Sequence, residues 1–338
     1  MKEEVQIQKA VLHILDNNID IPVLSQYELD LTYKDIQIFL EKHILKAICD
    51  NDIKNAQFIN SGNSIFELCK HLATDLDQFL KISWNMANSL FAIMIKNIDI
   101  PAADLICCVF LYNDIFHFGL LKLNYKSGFI HHVQNTDQGS SNFIIKQRTL
   151  LPSETNKIEE CVFINLSDYS LRIIEKQYEI NGENTNYLSK IFLKCDSDLS
   201  NNEKVKILDR VTQRINKKYF DEDFDKTAQA KKVIAESIEE TNTVEINYLA
   251  EEVFPGNLEV QQEYVTEIKK AGIMDATVTI PDDIANKRFK NQKIKTDTGI
   301  EINFPASYYN NKEKIEFLNN PDGTLSILIK NVGKITNR

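Results

Sequence analysis

A chain of 338 residues exceeds what one hydrophobic core usually holds, so two domains are expected. Hydrophobic content of 43% and charged content of 26%, with 10 Gly and 7 Pro, exclude collagen-like and low-complexity architectures. The balance of 39 Lys and Arg against 49 Asp and Glu, net −10, argues against nucleic acid as a partner unless positive charge is gathered locally.

In chain order, MKEEVQIQKAVLHIL carries acids where a signal peptide needs a basic region, so secretion is not expected. Residues 5–15 alternate as a strand does. TYKDIQIFLEKHILKAI then has the three-four spacing of an amphipathic helix opened by Thr32. The turn cluster Asn60 to Ser64 leads into a helical region reaching about Lys96, with Ser64 as cap and Glu67 completing a capping box. From Asp104 the runs LICCVFLYN, IFHFGLLKLNY, GFIHHVQN and NFIIKQRTLL read as an antiparallel meander, and CVFINL with SLRIIEKQYEI as another hairpin. Leu105 to Tyr112, the longest apolar run, is far shorter than the roughly 20 residues that span a bilayer, so no membrane contact is expected.

Asn181 to Asn186 is the best linker candidate and separates expected domains 1–184 and 185–338. Helices are expected near 187–193, 202–220, 225–240, 245–253 and 257–271, followed by short strands at TVTI, IKTDTGIEINF, KIEFLN and TLSILIK. The fold class is therefore α+β: an N-terminal, largely antiparallel sheet with helices on one face, then a mostly helical domain with a small closing β-sheet.

Charge is unevenly spread. Residues 1–160 hold 14 basic and 20 acidic side chains without a cluster, whereas 190–218 hold 8 and 4, 221–285 hold 5 and 16, and 286–338 hold 10 and 5. Within 202–220, stepping ~100° per residue from Lys206 puts Arg210, Arg214, Lys217 and Lys218 between ~0° and ~120°. Val205, Leu208, Val211, Ile215 and Tyr219 fall between ~140° and ~260°, the face expected to be buried. Lys204 adds to the basic count, Glu203 is the one acid in the arc, and Ile207 alone breaks the division. An ordinary solvated face would mix signs and make Glu-to-Lys pairs four residues apart, which this helix almost lacks. A second cluster, NKRFKNQKIK, gathers Lys287, Arg288, Lys290, Lys293 and Lys295 with no acid, and its Phe289 is better read as a core anchor than as a base-stacking ring.

The stretch Tyr187-Leu188-Ser189-Lys190-Ile191-Phe192-Leu193-Lys194-Cys195, leading into the basic helix, resembles the bacterial nucleoid-associated protein family of the NdpA type. So do Ile302-Asn303-Phe304, Ile315-Glu316-Phe317 and Leu325-Ser326-Ile327, and the AVLHIL and LICCVFLYNDIFHFGLLKL stretches sit in the family's order. The chain departs in having Cys195 where some relatives place Gly and in the spacing of Tyr187 and Phe192. The resemblance spans nearly the whole chain, and its motifs are structural. It implies a cytoplasmic protein of the nucleoid that binds double-stranded DNA with little sequence preference. The DNA-contact residues named above come from charge geometry alone.

Catalytic markers are missing: GxxxxGK[ST], GxGxxG, HExxH and GxSxG do not occur. Six cysteines without CxxC spacing suggest buried thiols rather than zinc or disulfides. His131 and His132 alternate to opposite sheet faces, so neither they nor His117 are assigned a metal. Asp196, Asp198 and Glu203 could serve a metal-dependent nuclease, but their spacing suits a polar loop and helix cap with Ser200 or Asn201 capping. The expected function is thus a non-enzymatic double-stranded-DNA binder without cofactor. The alternatives are a module whose acidic block, Asp221 to Asp283, docks a DNA-processing protein, and the nuclease. Edge strands leave room for a homodimer.

Overall fold

The computed structural model describes residues 4–59, 62–137 and 139–336. It divides into two compact units, Met1–Asp198 and Leu199–Arg338. The α+β class holds, with a large antiparallel sheet in the first unit and helices with small sheets in the second.

The first unit contains β1 (Val5–Leu15), α1 (Lys34–Ile48), β2 (Lys54–Phe58), α2 (Ser64–Thr74), α3 (Phe79–Met94), β3 (Ala103–Tyr112), β4 (Ile115–Asn124), β5 (Lys126–Thr136), β6 (Gly139–Leu150), β7 (Glu160–Asn165), β8 (Leu171–Ile174), β9 (Gln177–Ile180), β10 (Glu183–Asn186) and β11 (Cys195–Ser197). Its seven-stranded sheet runs β1-β3-β4-β7-β8-β2-β11. Helices cover both faces rather than one. Leu105, Cys107 and Val109 of β3 pack with α2 and α3, while Ile106, Cys108 and Phe110 pack with α1. That is why LICCVFLYN shows no polar alternation: neither side of β3 faces water.

Four local expectations are corrected. Thr32 does not open α1, because its hydroxyl donates to Asp30 and Tyr33 precedes the helix. Asn63, not Ser64, caps α2 by accepting from the Ile65 amide, and the helical region breaks at Asp75. Asn60 and Ser61 of the expected turn lie outside the described residues. The meander is interrupted, since β5 and β6 pair only with each other and β7 returns to β4. Finally, Asn181 and Gly182, at φ 54° and 84°, turn the β9–β10 hairpin instead of forming a linker.

The stretch that carries the family resemblance is tied down by buried charge. Tyr187 donates to Glu160 Oε1 at 2.7 Å, and Lys122 Nζ lies 2.8 Å from Glu160 Oε2, which also accepts from Tyr178 and Asn124. One turn on, the Ser189 amide and hydroxyl donate to Glu175 at 3.0 and 2.9 Å, and Lys54 stands 3.6 Å from the same carboxylate. Leu188–Leu193 forms a π-helical turn whose Leu188, Phe192 and Leu193 enter the core.

The second unit contains α4 (Asn201–Phe220), α5 (Phe224–Thr241), β12 (Thr243–Glu245), α6 (Ile246–Val253), α7 (Leu258–Lys270), β13 (Thr277–Thr279), α8 (Asp282–Arg288), β14 (Asn291–Lys295), β15 (Glu301–Pro305), β16 (Ile315–Asn319) and β17 (Leu325–Ile329). The closing strands form three separate two-stranded ribbons. An aromatic group of Phe224, Phe304, Tyr309 and Phe317 joins the last ribbons to α5, and Tyr309 donates to Asp225. Phe304 and Phe317 belong to the C-terminal segments that resemble the family.

Candidate nucleic-acid interface

α4 opens with a full capping box: Ser200 Oγ accepts from the Glu203 amide at 3.2 Å, and the Glu203 carboxylate accepts from the Ser200 amide at 2.9 Å. The single acid of the basic arc is thereby engaged in the cap. Val205, Leu208, Val211 and Ile215 are buried, as the spacing predicts. Two positions differ. Ile207 is 5% exposed and Tyr219 37% exposed. Ile207 is covered because it joins the core cluster that holds Val260, Tyr264 and Ile268 of α7, which widens the buried arc on that side, whereas Tyr219 lies in the last turn of α4 and its hydroxyl reaches out to Glu263.

That packing brings acids to the stripe. Glu263 and Glu267 of α7 reach Lys218, at 2.7 Å, and Arg214. Tyr219 donates to Glu263 as well. The hydrogen bond from Lys218 holds the Glu263 carboxyl below its ordinary range, and the same contact raises Lys218. Lys217 pairs with Glu222 at 2.6 Å. Acids four residues along α4 are nearly lacking, and those that meet Arg214 and Lys218 stand on a neighbouring helix. Their signal was present, since Glu259, Glu263 and Glu267 recur every fourth residue and must share one helix face.

The second cluster divides between α8 and β14. Phe289 is buried among core residues and presents no ring for stacking. Arg288 extends to Asp209 of α4 at 3.3 Å, bringing part of this cluster beside the middle of the basic helix. Lys295 pairs with Glu301 at 3.2 Å. A cavity of about 260 Å³ opens at this junction, lined by Asp209, Gln213, Lys231, Arg288 and Phe289. Burial raises the Asp209 carboxyl against the opposing pull of Arg288 and Lys231, and burial lowers the Lys231 ammonium, with Lys293 adding repulsion. In the sequence Lys231 is masked by the acid-rich stretch around it.

Of the candidate residues, Lys204, Lys206, Arg210, Lys287, Lys290 and Lys293 make no ion pair among the described residues. Arg214, Lys217, Lys218, Arg288 and Lys295 each do. Lys206 and Arg210 are exposed on the outward side of α4.

The family described as nucleoid-associated protein YejK matches residues 11–336. The chain belongs to this family. The match extends across both units and bears out the resemblance drawn from Tyr187–Cys195 and the C-terminal strands. No curated protein matches the chain significantly.

The remaining candidates are dispersed. His117 stacks on Phe110 and donates through Nδ1 to the Ile115 carbonyl, whereas His131 and His132 stand exposed on opposite faces of β5. Cys69, Cys107, Cys108, Cys161 and Cys195 are buried free thiols, and Cys49 is exposed. Among the described residues, no three His, Cys, Asp or Glu side chains gather as a metal site, and no helix is long and apolar enough to cross a membrane.

Proposed function

We propose that this chain is a non-enzymatic cytoplasmic protein of the nucleoid that holds double-stranded DNA with little sequence preference, through the outer arc of α4 and the run from Lys287 to Lys293. The observation that carries the reading is the set of cations without ion partners among the described residues, Lys204, Lys206, Arg210, Lys287, Lys290 and Lys293, in a member of a nucleoid-associated family. Such side chains neutralise phosphates and release condensed counterions, which gives affinity without base readout. Arg214, Lys217, Lys218, Arg288 and Lys295 are held by carboxylates and contribute only by exchanging those partners for phosphate. The acid stripe of α7 repels the backbone and bounds the contact on one flank.

Affinity for a duplex should fall with log salt at a slope of about −0.9 per phosphate contact. Lys206→Gln with Arg210→Gln should flatten that slope by up to about two units for all sequences alike. A wild-type slope in this variant, measured by fluorescence anisotropy over a salt series, refutes the assignment. Plasmid incubated with Mg²⁺ or Mn²⁺ should be retarded and left uncut, whereas metal-dependent cleavage would favour the nuclease.

A second contact is supported by the acids around exposed Tyr248. Burial raises its phenol, and the carboxylates of Glu252 in α6 and of Glu236 and Glu240 in α5 raise it further. This anionic surface suits a basic, DNA-processing partner.

A further inference from the structure

The hairpin β5–β6 stands apart from every other strand of its unit. Its strands of 11 and 12 residues form a sheet of their own, and nearly every residue of both is exposed. A lone two-stranded ribbon is marginal in water. This one is also apolar on both faces. Register places Phe129, Val133 and Ile144 on one side and Ile130, Phe143 and Ile145 on the other, each between 40% and 80% exposed. Such side chains present on the order of 500 Å² of apolar surface, at the upper end of what a monomer leaves uncovered.

A second exposed surface of the same unit has the opposite charge. Residues 16–35 run along the outer edge of β1, fixed by the Ile14–Val23 bridge and by Trp84 Nε1 donating to the Ser25 carbonyl. They expose Ile21 by 73%, Val23 by 52%, Tyr27 by 82% and Tyr33 by 63%. Asp16, Asp20, Asp30 and Asp35 of this segment make no ion pair among the described residues, and neither do Lys146 and Arg148 of the hairpin. Residues 126–150 hold three basic side chains and one acid, whereas the rest of 1–198 holds 15 basic and 25 acidic.

We propose that β5–β6 is an arm that docks on segment 16–35 of a second copy of this chain, in a reciprocal dimer. Two-fold symmetry makes the contact twice, arm on segment and segment on arm. One face of each arm, about half of its apolar surface, and two segments of on the order of 500 Å² each together reach on the order of 1,500 Å², within the range of a stable interface. Lys146 and Arg148 then meet the carboxylates of Asp20 and Asp35, and because an acidic partner is repelled by the segment and a basic one by the arm, a chain that carries both, a second copy, satisfies both surfaces.

Sedimentation of the full chain should give a dimeric mass, and Phe129→Ser with Ile144→Ser, both at exposed sites, a monomeric one. Lys146→Glu with Arg148→Glu should raise the dimer dissociation constant roughly tenfold or more, and so should Asp20→Lys with Asp35→Lys. Mixing these two charge variants should restore the dimer, because both contacts in the mixed pair are again attractive. A monomeric wild type, arm variants that stay dimeric, or a mixture that fails to associate each overturns the proposal. Arm variants that keep their mass but lose DNA would assign the ribbon to a groove of the duplex instead.

Discussion

The two units handle the same ion pair in opposite ways. In the first, Lys122 with Glu160 and Lys54 with Glu175 are withdrawn from water and surrounded by hydroxyl and amide donors. In the second, Arg214 with Glu267 and Lys218 with Glu263 lie along a solvent-facing seam between two helices. Burial turns a pair into a structural obligation, because either partner left alone is an unpaired charge without water. Exposure leaves the pair free to exchange, since salt and water compete for both ends. The first arrangement fixes the Tyr187–Leu193 turn; the second sets how much positive charge α4 presents.

The largest effect should come from the buried pair. Glu160→Ala strands Lys122 and removes the acceptor of Tyr187 and Tyr178, and should cost about 3–5 kcal/mol in urea denaturation. A loss below about 1 kcal/mol would show that the network is solvated. Next, Leu208→Ala in the second unit should cost about 2–5 kcal/mol, as Leu208 is fully buried beneath the basic arc. An unchanged thermal midpoint would remove α4 from the core.

A third effect depends on pH and again contrasts burial with exposure. His13 is buried, accepts from the Ser25 amide at Nδ1 and donates from Nε2 to Ser83, and burial lowers its pKa to about 4. The unfolded chain, with an ordinary imidazole near 6.5, therefore binds the proton first as pH falls. Stability tied to this site is complete above the unfolded value and declines toward the folded one, by roughly 2 kcal/mol between pH 7 and pH 5. His13→Gln should lose that increment of acid sensitivity.

Legibility in the sequence followed the locality of the forces. The span of α4, its Ser200 cap and the buried Val205, Leu208, Val211 and Ile215 depend on spacing within one helix, and spacing is written in the sequence. The two-sided burial of β3 leaves a trace in LICCVFLYN, an apolar run whose missing polar alternation marks a strand covered on both faces. What escaped was tertiary. Nothing near Arg214 or Lys218 announces that α7 will lie alongside, and nothing near Gln147 states that β6 will leave the sheet. Asn181-Gly182 failed differently: the same dipeptide that punctuates a linker is the preferred turn of a tight hairpin, and Tyr178, bonded to Glu160, decides for the hairpin.

The smallest effect on folding, and the sharpest for function, concerns the exposed pairs. Glu263→Gln with Glu267→Gln removes the carboxylates facing Lys218 and Arg214 while keeping side-chain size. Because these groups sit in solvent, the thermal midpoint should scarcely move. The charge presented by α4 should change by much more. Three cations lose their partners, Arg214, Lys218 and Lys270, and the two on α4 can each neutralise a phosphate, so duplex affinity should rise at low salt and the slope of log affinity against log salt should steepen by up to about two units. The increase should persist in a Lys206→Gln, Arg210→Gln background, because the residues freed by removing the α7 acids are different ones. If affinity and slope both stay at wild-type values, the α4 stripe is a solvated helix face balanced by its neighbour, and the contact with DNA must be sought in the run from Lys287 to Lys293.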